Sequence, residues 1–232
     1  MFVIYYFIVF FFFNVGGSND QSYCNAKGFM NFYKDERIGV INLDAHFDVR
    51  PLKEGKAHSG SPFRQLLEDP KFQEKNGVFI EFASKGCSTS YNHYTYLLEN
   101  KCDIYWLEKN IRRFPVSEKA IDCQVVPNYE LKTQAGQLMF RILKQLSDTV
   151  DKIFFSFDID SIDSQFCPGV SAPSVVGGLT EQEAIELCFL AGQNKKVGLI
   201  DFSEYNPAVE SHRTGRLLAN MVYEFCRGVS YR

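Results

Sequence analysis

The run Ile38-Gly39-Val40-Ile41-Asn42-Leu43 passes directly into Asp44-Ala45-His46-Phe47-Asp48, and a second run, Ile153-Phe154-Phe155-Ser156-Phe157, passes the same way into Asp158-Ile159-Asp160. Short apolar runs rich in Val, Ile and Phe predict buried strands. Alternate residues of a strand point the same way, so each polar cluster at this spacing delivers its side chains to one place. Four carboxylates and one imidazole converging on one spot would repel one another strongly unless a cation sat among them. The pattern predicts a metal site for two ions.

Outward from these clusters the chain alternates. Apolar strand-like runs occur at Ile38–Leu43, Val78–Phe82, Ile104–Leu107, Ile153–Phe157 and Val197–Phe202, with amphipathic helix-like stretches at Tyr129–Leu146, Glu181–Ala191 and Thr214–Arg227. Strand then helix, repeated, predicts a parallel sheet covered on both faces. In such sheets functional groups gather beyond the carboxyl ends of the strands. Both carboxylate clusters lie there, and Glu204 joins them after the last run.

The chain has 232 residues, 45% of them hydrophobic and 23% charged, which suits one large core without internal repeats or linkers. A net charge of -3 with scattered basic residues excludes an electrostatic footprint for nucleic acid and points to small-molecule chemistry. The seven cysteines (Cys24, Cys87, Cys102, Cys123, Cys167, Cys188, Cys226) form no CxxC pair. They read as reduced thiols, mostly in the core, rather than a disulfide framework or a zinc knuckle. Met1–Phe13 is apolar but lacks a basic leader and falls short of the roughly 20 residues of a membrane span. It is expected to be a buried strand ending in the turn Asn14-Val15-Gly16-Gly17, with extraneous residues ahead of it; a signal or anchor segment is the competing reading. The division is thus an apolar segment over 1–13 and a single domain over 14–232, in a soluble cytoplasmic protein that makes no use of a membrane.

Four ordered motifs now give a specific resemblance. They are Gly16-Gly17-Ser18-Asn19-Asp20, the DAHFD of Asp44 to Asp48, the SFDIDSID of Ser156 to Asp163 with Pro168-Gly169, Pro173 and Gly177-Gly178, and Glu204-Tyr205-Asn206-Pro207. Together they resemble the ureohydrolase superfamily of arginases, agmatinases and formimidoylglutamases, from about Val15 to the C-terminus. The resemblance implies a three-layer α/β/α fold with a mostly parallel central sheet, arginase-like and shortened at its N-terminus, and two manganese ions per subunit. Asp44 and Asp158 would bridge the ions, His46 and Asp160 would complete one, and Asp48 would bind the other. Hard carboxylate oxygens with one imidazole suit manganese better than zinc. A water held between two cations loses a proton near neutral pH and would attack an amidine carbon held in line by Glu204, with Asp48 passing a proton to the departing amine. Ser156 and Asp163 would orient the ligands by hydrogen bonds. The family's usual histidine in the first motif is here Asn19, whose neutral carbonyl oxygen would hold its ion more weakly.

Within the superfamily, DAHFDVRP, SGSPFRQ and the Pro168–Pro173 loop look like formimidoylglutamase. Arg50 stands where arginases use a small amide residue, and Ser59 where arginases and agmatinases have a histidine. A guanidinium fork suits a substrate rich in carboxylates. The implied reaction is N-formimidoyl-L-glutamate and water to L-glutamate and formamide, a step of histidine degradation. Homo-oligomers are common in the family and are expected here. Other readings stand alongside: a metal-poor, non-catalytic homologue acting through subunit association, and an agmatinase or arginase activity that Ser59 and Arg50 disfavour. A structural salt bridge competes for Arg50, and loop support for Arg64 and His58. Gly177 and Gly178 predict a tight turn before a helix capped by Thr180 with Glu183.

Overall fold

The runs read as strands form strands, because side chains branched at Cβ or aromatic fill both faces of a covered sheet; the run at Ile104–Leu107 does so only as far as Tyr105, and Leu107–Ile111 instead forms a π-helical turn. The computed structural model describes residues 12–115, 130–174 and 177–232. Within them β1 (Phe12–Val15), β2 (Ile38–Leu43), β3 (Val78–Phe82), β4 (Asp103–Tyr105), β5 (Lys152–Asp158) and β6 (Val197–Ser203) form one sheet in the order β1-β6-β5-β2-β3-β4. Every pairing is parallel. The expected 13/14 boundary falls inside β1, which pairs with β6. Asn14 and Val15 belong to the strand rather than to the expected turn, and Phe13 and Val15 are exposed rather than buried, as residues of an edge strand can be. The rest of the Met1–Phe13 segment lies outside the described residues.

Helices cover both faces. On one, Ile41, Leu43, Phe155, Phe157, Ile200 and Phe202 share a core with α5 (Gln134–Thr149), α6 (Glu181–Gln193) and α7 (His212–Val229). On the other, Val40, Phe79, Phe154 and Leu199 pack with α1 (Gln21–Phe32), α2 (Pro62–Leu67), α3 (Pro70–Glu74) and α4 (Tyr91–Glu99). This is the three-layer arrangement expected. Helix α5 starts at Gln134, capped by Thr133, while Tyr129, expected to open it, lies outside the described residues. Helix α6 opens with the expected box: Thr180 accepts from Glu183 N–H and the Glu183 side chain accepts from Thr180 N–H, after Gly177 turns at φ 75°.

The face toward α1 changes character along the strands. Past its apolar residues it carries Asn42, Glu81, Ser156 and Asp201, all fully buried. These sit in one row: Asn42 is in register with Glu81 and Ser156, and Ser156 with Asp201. A buried polar row must find its partners within the protein, and this one lies one strand step below Asp44 and Asp158. Three of the described cysteines (Cys102, Cys167, Cys188) are buried, but Cys24 and Cys87 are exposed, so fewer are in the core than expected; all six described are free, and Cys123 lies outside the described residues. No helix among the described residues is long and apolar enough to cross a membrane.

Candidate metal centre

Because β2 and β5 are neighbours in register, Asp44 and Asp158 leave the sheet side by side. Each then closes a turn on its own side chain: Asp44 Oδ1 accepts from His46 N–H at 2.7 Å and Asp158 Oδ1 from Asp160 N–H at 3.0 Å. These are Asx turns, in which a carboxylate replaces a backbone acceptor two residues before the donor. Strand alternation therefore carries the side chains only as far as Asp44 and Asp158. Beyond them the expected strand spacing gives way to turns, with Ile159–Ser161 in a 3-10 turn and Asp48 at φ 47°, and it is these turns that aim His46, Asp48 and Asp160 inward.

The result is two donor groups sharing one member. Asp44, His46 and Asp160 form one; Asp44, Asp48 and Asp158 form the other, with ligand atoms inside each group within 4.8 Å of one another. His46 Nδ1 lies 3.3 Å from Asp44 Oδ1 and 3.2 Å from Asp160 Oδ2. Hydrogen bonds to Asp160 and Asp44 push the imidazole up to about 11, and they hold Asp44 below the ordinary carboxylate range despite its burial. Burial, then the charge of Asp44, raises Asp48 well above its ordinary value and brings Asp160 to about 7; burial and Asp160 do the same to Asp158. These carboxylates cannot all ionise around one imidazolium. A divalent cation in each group would relieve the repulsion, and Asp160 Oδ1, buried and without a hydrogen-bond partner among the described residues, is open to receive one. The donor set of oxygens with one imidazole fits manganese.

The first motif docks against the end of β6. Asn19 is fully buried; its N–H donates to Glu204 Oε1 at 2.8 Å and its Nδ2 to Asp48 Oδ2 at 2.9 Å. Glu204 itself is held at φ 66°, a conformation a non-glycine residue adopts only when its surroundings impose it. Burial, followed by neighbouring charges, raises its carboxyl above the ordinary range. One cleft is lined by His46, Asp48, Asp158 and Asp160 together with Arg50, Ser59 and Glu204. Arg50 lies along Gly60, where a Cβ would stand 2.8 Å from its Cδ, so the glycine makes room for the guanidinium stem. A second cleft, lined by Ser18, Ser171, Tyr205 and Asn206, shares Ser59 and Glu204 with the first.

A family model for the arginase family matches residues 10–227. The chain belongs to the arginase family. It is 31% identical over 216 residues to the formimidoylglutamase of Staphylococcus aureus strain MRSA252, covering 93% of this chain and 60% of that protein. The Trypanosoma cruzi formiminoglutamase, solved with manganese, superposes with TM-score 0.77 at 37% identity over 95% of this chain and 65% of its own. The Bacillus subtilis formimidoylglutamase gives TM-score 0.76 at 25% identity, over 93% and 60%. The chain thus spans about three fifths of the length of the curated relatives it matches.

In this arginase-family fold neither Ser156 nor Asp163, expected to orient the ligands, hydrogen-bonds a ligand candidate through its side chain among the described residues. Ser156 donates to Asp201 at 2.7 Å, one layer below the ligands. Asp163 accepts from the backbone N–H of Gln165 and Gly177 at 2.9 and 2.8 Å, and so braces the glycine loop. His58 accepts from Gly60 N–H at 3.2 Å within its own loop, and Arg64 pairs with Glu68. Reading the sequence missed Ser22, Asn25, Asn42, Glu81 and Asp201. The signal was present for three of them, since Asn42, Glu81 and Asp201 each interrupt an apolar strand run whose neighbours are all buried.

Proposed function

We propose that this chain is a manganese-dependent hydrolase of linear amidines, with N-formimidoyl-L-glutamate as substrate. The observation that carries the reading is the pair of donor groups sharing Asp44, set in one cleft with Glu204 and Arg50. Asp44, His46 and Asp160 would hold one ion, and Asp44, Asp48 and Asp158, with Asn19, the other. Asp44 is the member the two groups share, whereas the resemblance read from the sequence implies that Asp44 and Asp158 are both shared. Bound manganese supplies Lewis acidity and brings a water's pKa down to near neutrality.

The protein's own groups do the rest. The Glu204 carboxylate pairs with the amidinium and holds its carbon in line. Arg50 offers two parallel N–H donors to a substrate carboxylate, and Ser59 a hydroxyl beside it. Oxygen from water bonds to the formimidoyl carbon, the bond from that carbon to the glutamate nitrogen breaks, and formamide leaves. Asp48, adjoining both Asn19 and the ligand cluster, takes the proton that the attacking water gives up and hands it to the departing amine. The balanced products are L-glutamate and formamide. The named relatives support this substrate, and the trypanosomal enzyme has also been solved with manganese as a variant carrying histidine for an asparagine.

The test is steady-state hydrolysis of N-formimidoyl-L-glutamate, L-arginine and agmatine by manganese-loaded protein. Turnover of the first, with KM raised at least tenfold in Arg50→Asn and kcat little changed, supports the reading. Preference for arginine or agmatine would overturn the substrate assignment, and an unchanged KM the role of Arg50.

A further inference from the structure

Proton accounting beneath Asn19 leads one step further. Ser22 Oγ lies 2.7 Å from Asn19 Oδ1 and 2.9 Å from Asp201 Oδ2. A serine hydroxyl carries one proton, so it cannot donate to both. Asp201 is the stronger claimant. It is fully buried and already gathers Asn25 Nδ2 at 2.7 Å and Ser156 Oγ at 2.7 Å, bonds that favour an ionised carboxylate. Burial raises that carboxyl only to about 6, so it is charged at neutral pH. Asn25 is itself oriented, since its Oδ1 accepts from Asn14 Nδ2 at 3.3 Å.

With the Ser22 proton on Asp201, the oxygen of Ser22 faces Asn19 as an acceptor. A half-turn of the Asn19 amide satisfies it: Nδ2 then donates to Ser22 Oγ, and Oδ1 takes the place near Asp48 Oδ2 that Nδ2 holds at 2.9 Å. Two oxygens facing each other at that separation require a proton or a cation between them. We propose that Asp201, acting through Ser22, is the positioning residue that turns the Asn19 carbonyl oxygen toward the metal position it shares with Asp48. An imidazole nitrogen is a stronger ligand than an amide oxygen and carries no NH2 group that could take its place, whereas an asparagine offers its ligand atom in one of two near-isosteric amide orientations only. The relay compensates for that ambiguity. The inference rests on the two-ion reading of the site.

The experiment is calorimetric titration of manganese into metal-free protein, for the wild type, Ser22→Ala, Ser22→Cys and the double variant Ser22→Ala/Asn19→His, with thermal melting to verify folding. Ser22→Cys keeps the volume while replacing the hydroxyl by a weak hydrogen-bonding thiol. The expected result is two ions for the wild type, the weaker of them bound about 10- to 100-fold less tightly in both Ser22 variants, as is typical when a ligand loses its outer support. Asn19→His should restore that affinity in the Ser22→Ala background, because histidine needs no amide orientation. Two wild-type ions with unchanged affinity in the Ser22 variants, or a loss that Asn19→His does not restore, would overturn the relay and leave the two-ion reading standing. Fewer than two ions in the wild type would overturn both.

Discussion

The two faces of the central sheet are built from the same strands and diverge near the carboxyl ends. Toward α5, α6 and α7 the strands present Ile41 and Leu43, Phe155 and Phe157, Ile200 and Phe202 without interruption. Toward α1 they step from Val40, Phe154 and Leu199 to Asn42, Ser156 and Asp201, then in two strands to Asp44 and Asp158. The apolar face supplies stability by burial. The other face gives up apolar contact for a row of hydrogen-bonding groups, since carboxylates gathered at the end of a sheet need oriented dipoles beneath them rather than hydrocarbon. One sheet thus separates the work of folding from the work of holding charge.

The sharpest way to break the comparison is to cut each face once. Asp158→Ala removes a ligand candidate and is expected to lower kcat at saturating manganese by about a thousandfold, comparable to losing a principal charge-stabilising group; steady-state kinetics reads this. Phe155→Ala on the opposite face should cost about 3–5 kcal/mol in urea unfolding while the folded fraction keeps its manganese affinity. If the two variants had the same effects, the division between faces would fall.

Glu81 sharpens the point at one residue. Burial, then the charge of Asp44, raises its carboxyl well above its ordinary value of 4.5, and among the described residues its Oε1 and Asn42 Oδ1 lack partners as unprotonated acceptors. The folded form keeps the proton while the unfolded form loses it above about 4.5, so stability falls as pH rises between those two values. In metal-free protein Glu81→Gln should flatten that slope by up to about 1.4 kcal/mol per pH unit within the window, read from urea midpoints across pH. An unaltered slope would mean the residue is ionised in the fold. The smallest effect belongs to the exposed Arg64–Glu68 pair: Glu68→Ala should cost no more than about 0.5 kcal/mol and leave metal binding unchanged.

Much of this was legible in the sequence, for identifiable reasons. Strands β2, β3, β5 and β6 carry dense apolar runs, and α6 and α7 keep a helical apolar period, so strand–helix alternation gave the parallel sheet. Helices α1 to α4 were not read: α2 and α3 span only Pro62–Leu67 and Pro70–Glu74, too short for a period, and α4 is built of Tyr and Asn as much as Leu. The ligand candidates were found, yet only part of the physical reason holds. The period of a strand accounts for Asp44 and Asp158, whereas His46, Asp48 and Asp160 are aimed by Asx turns and a positive φ, which depend on local closure that spacing does not encode. The relay through Ser22 and Asp201 joins residues 179 positions apart, a pairing that only the docking of α1 on β6 creates.

The central claim, that this arginase-family chain hydrolyses an amidine at a two-ion site, is tested most directly by the metal content of manganese-incubated protein, with glutamate release from N-formimidoyl-L-glutamate followed on the same sample. About two manganese ions per chain, with activity lost on chelation and regained with manganese, is the predicted result. Folded protein that holds one ion or none and releases no glutamate at high manganese would contradict it.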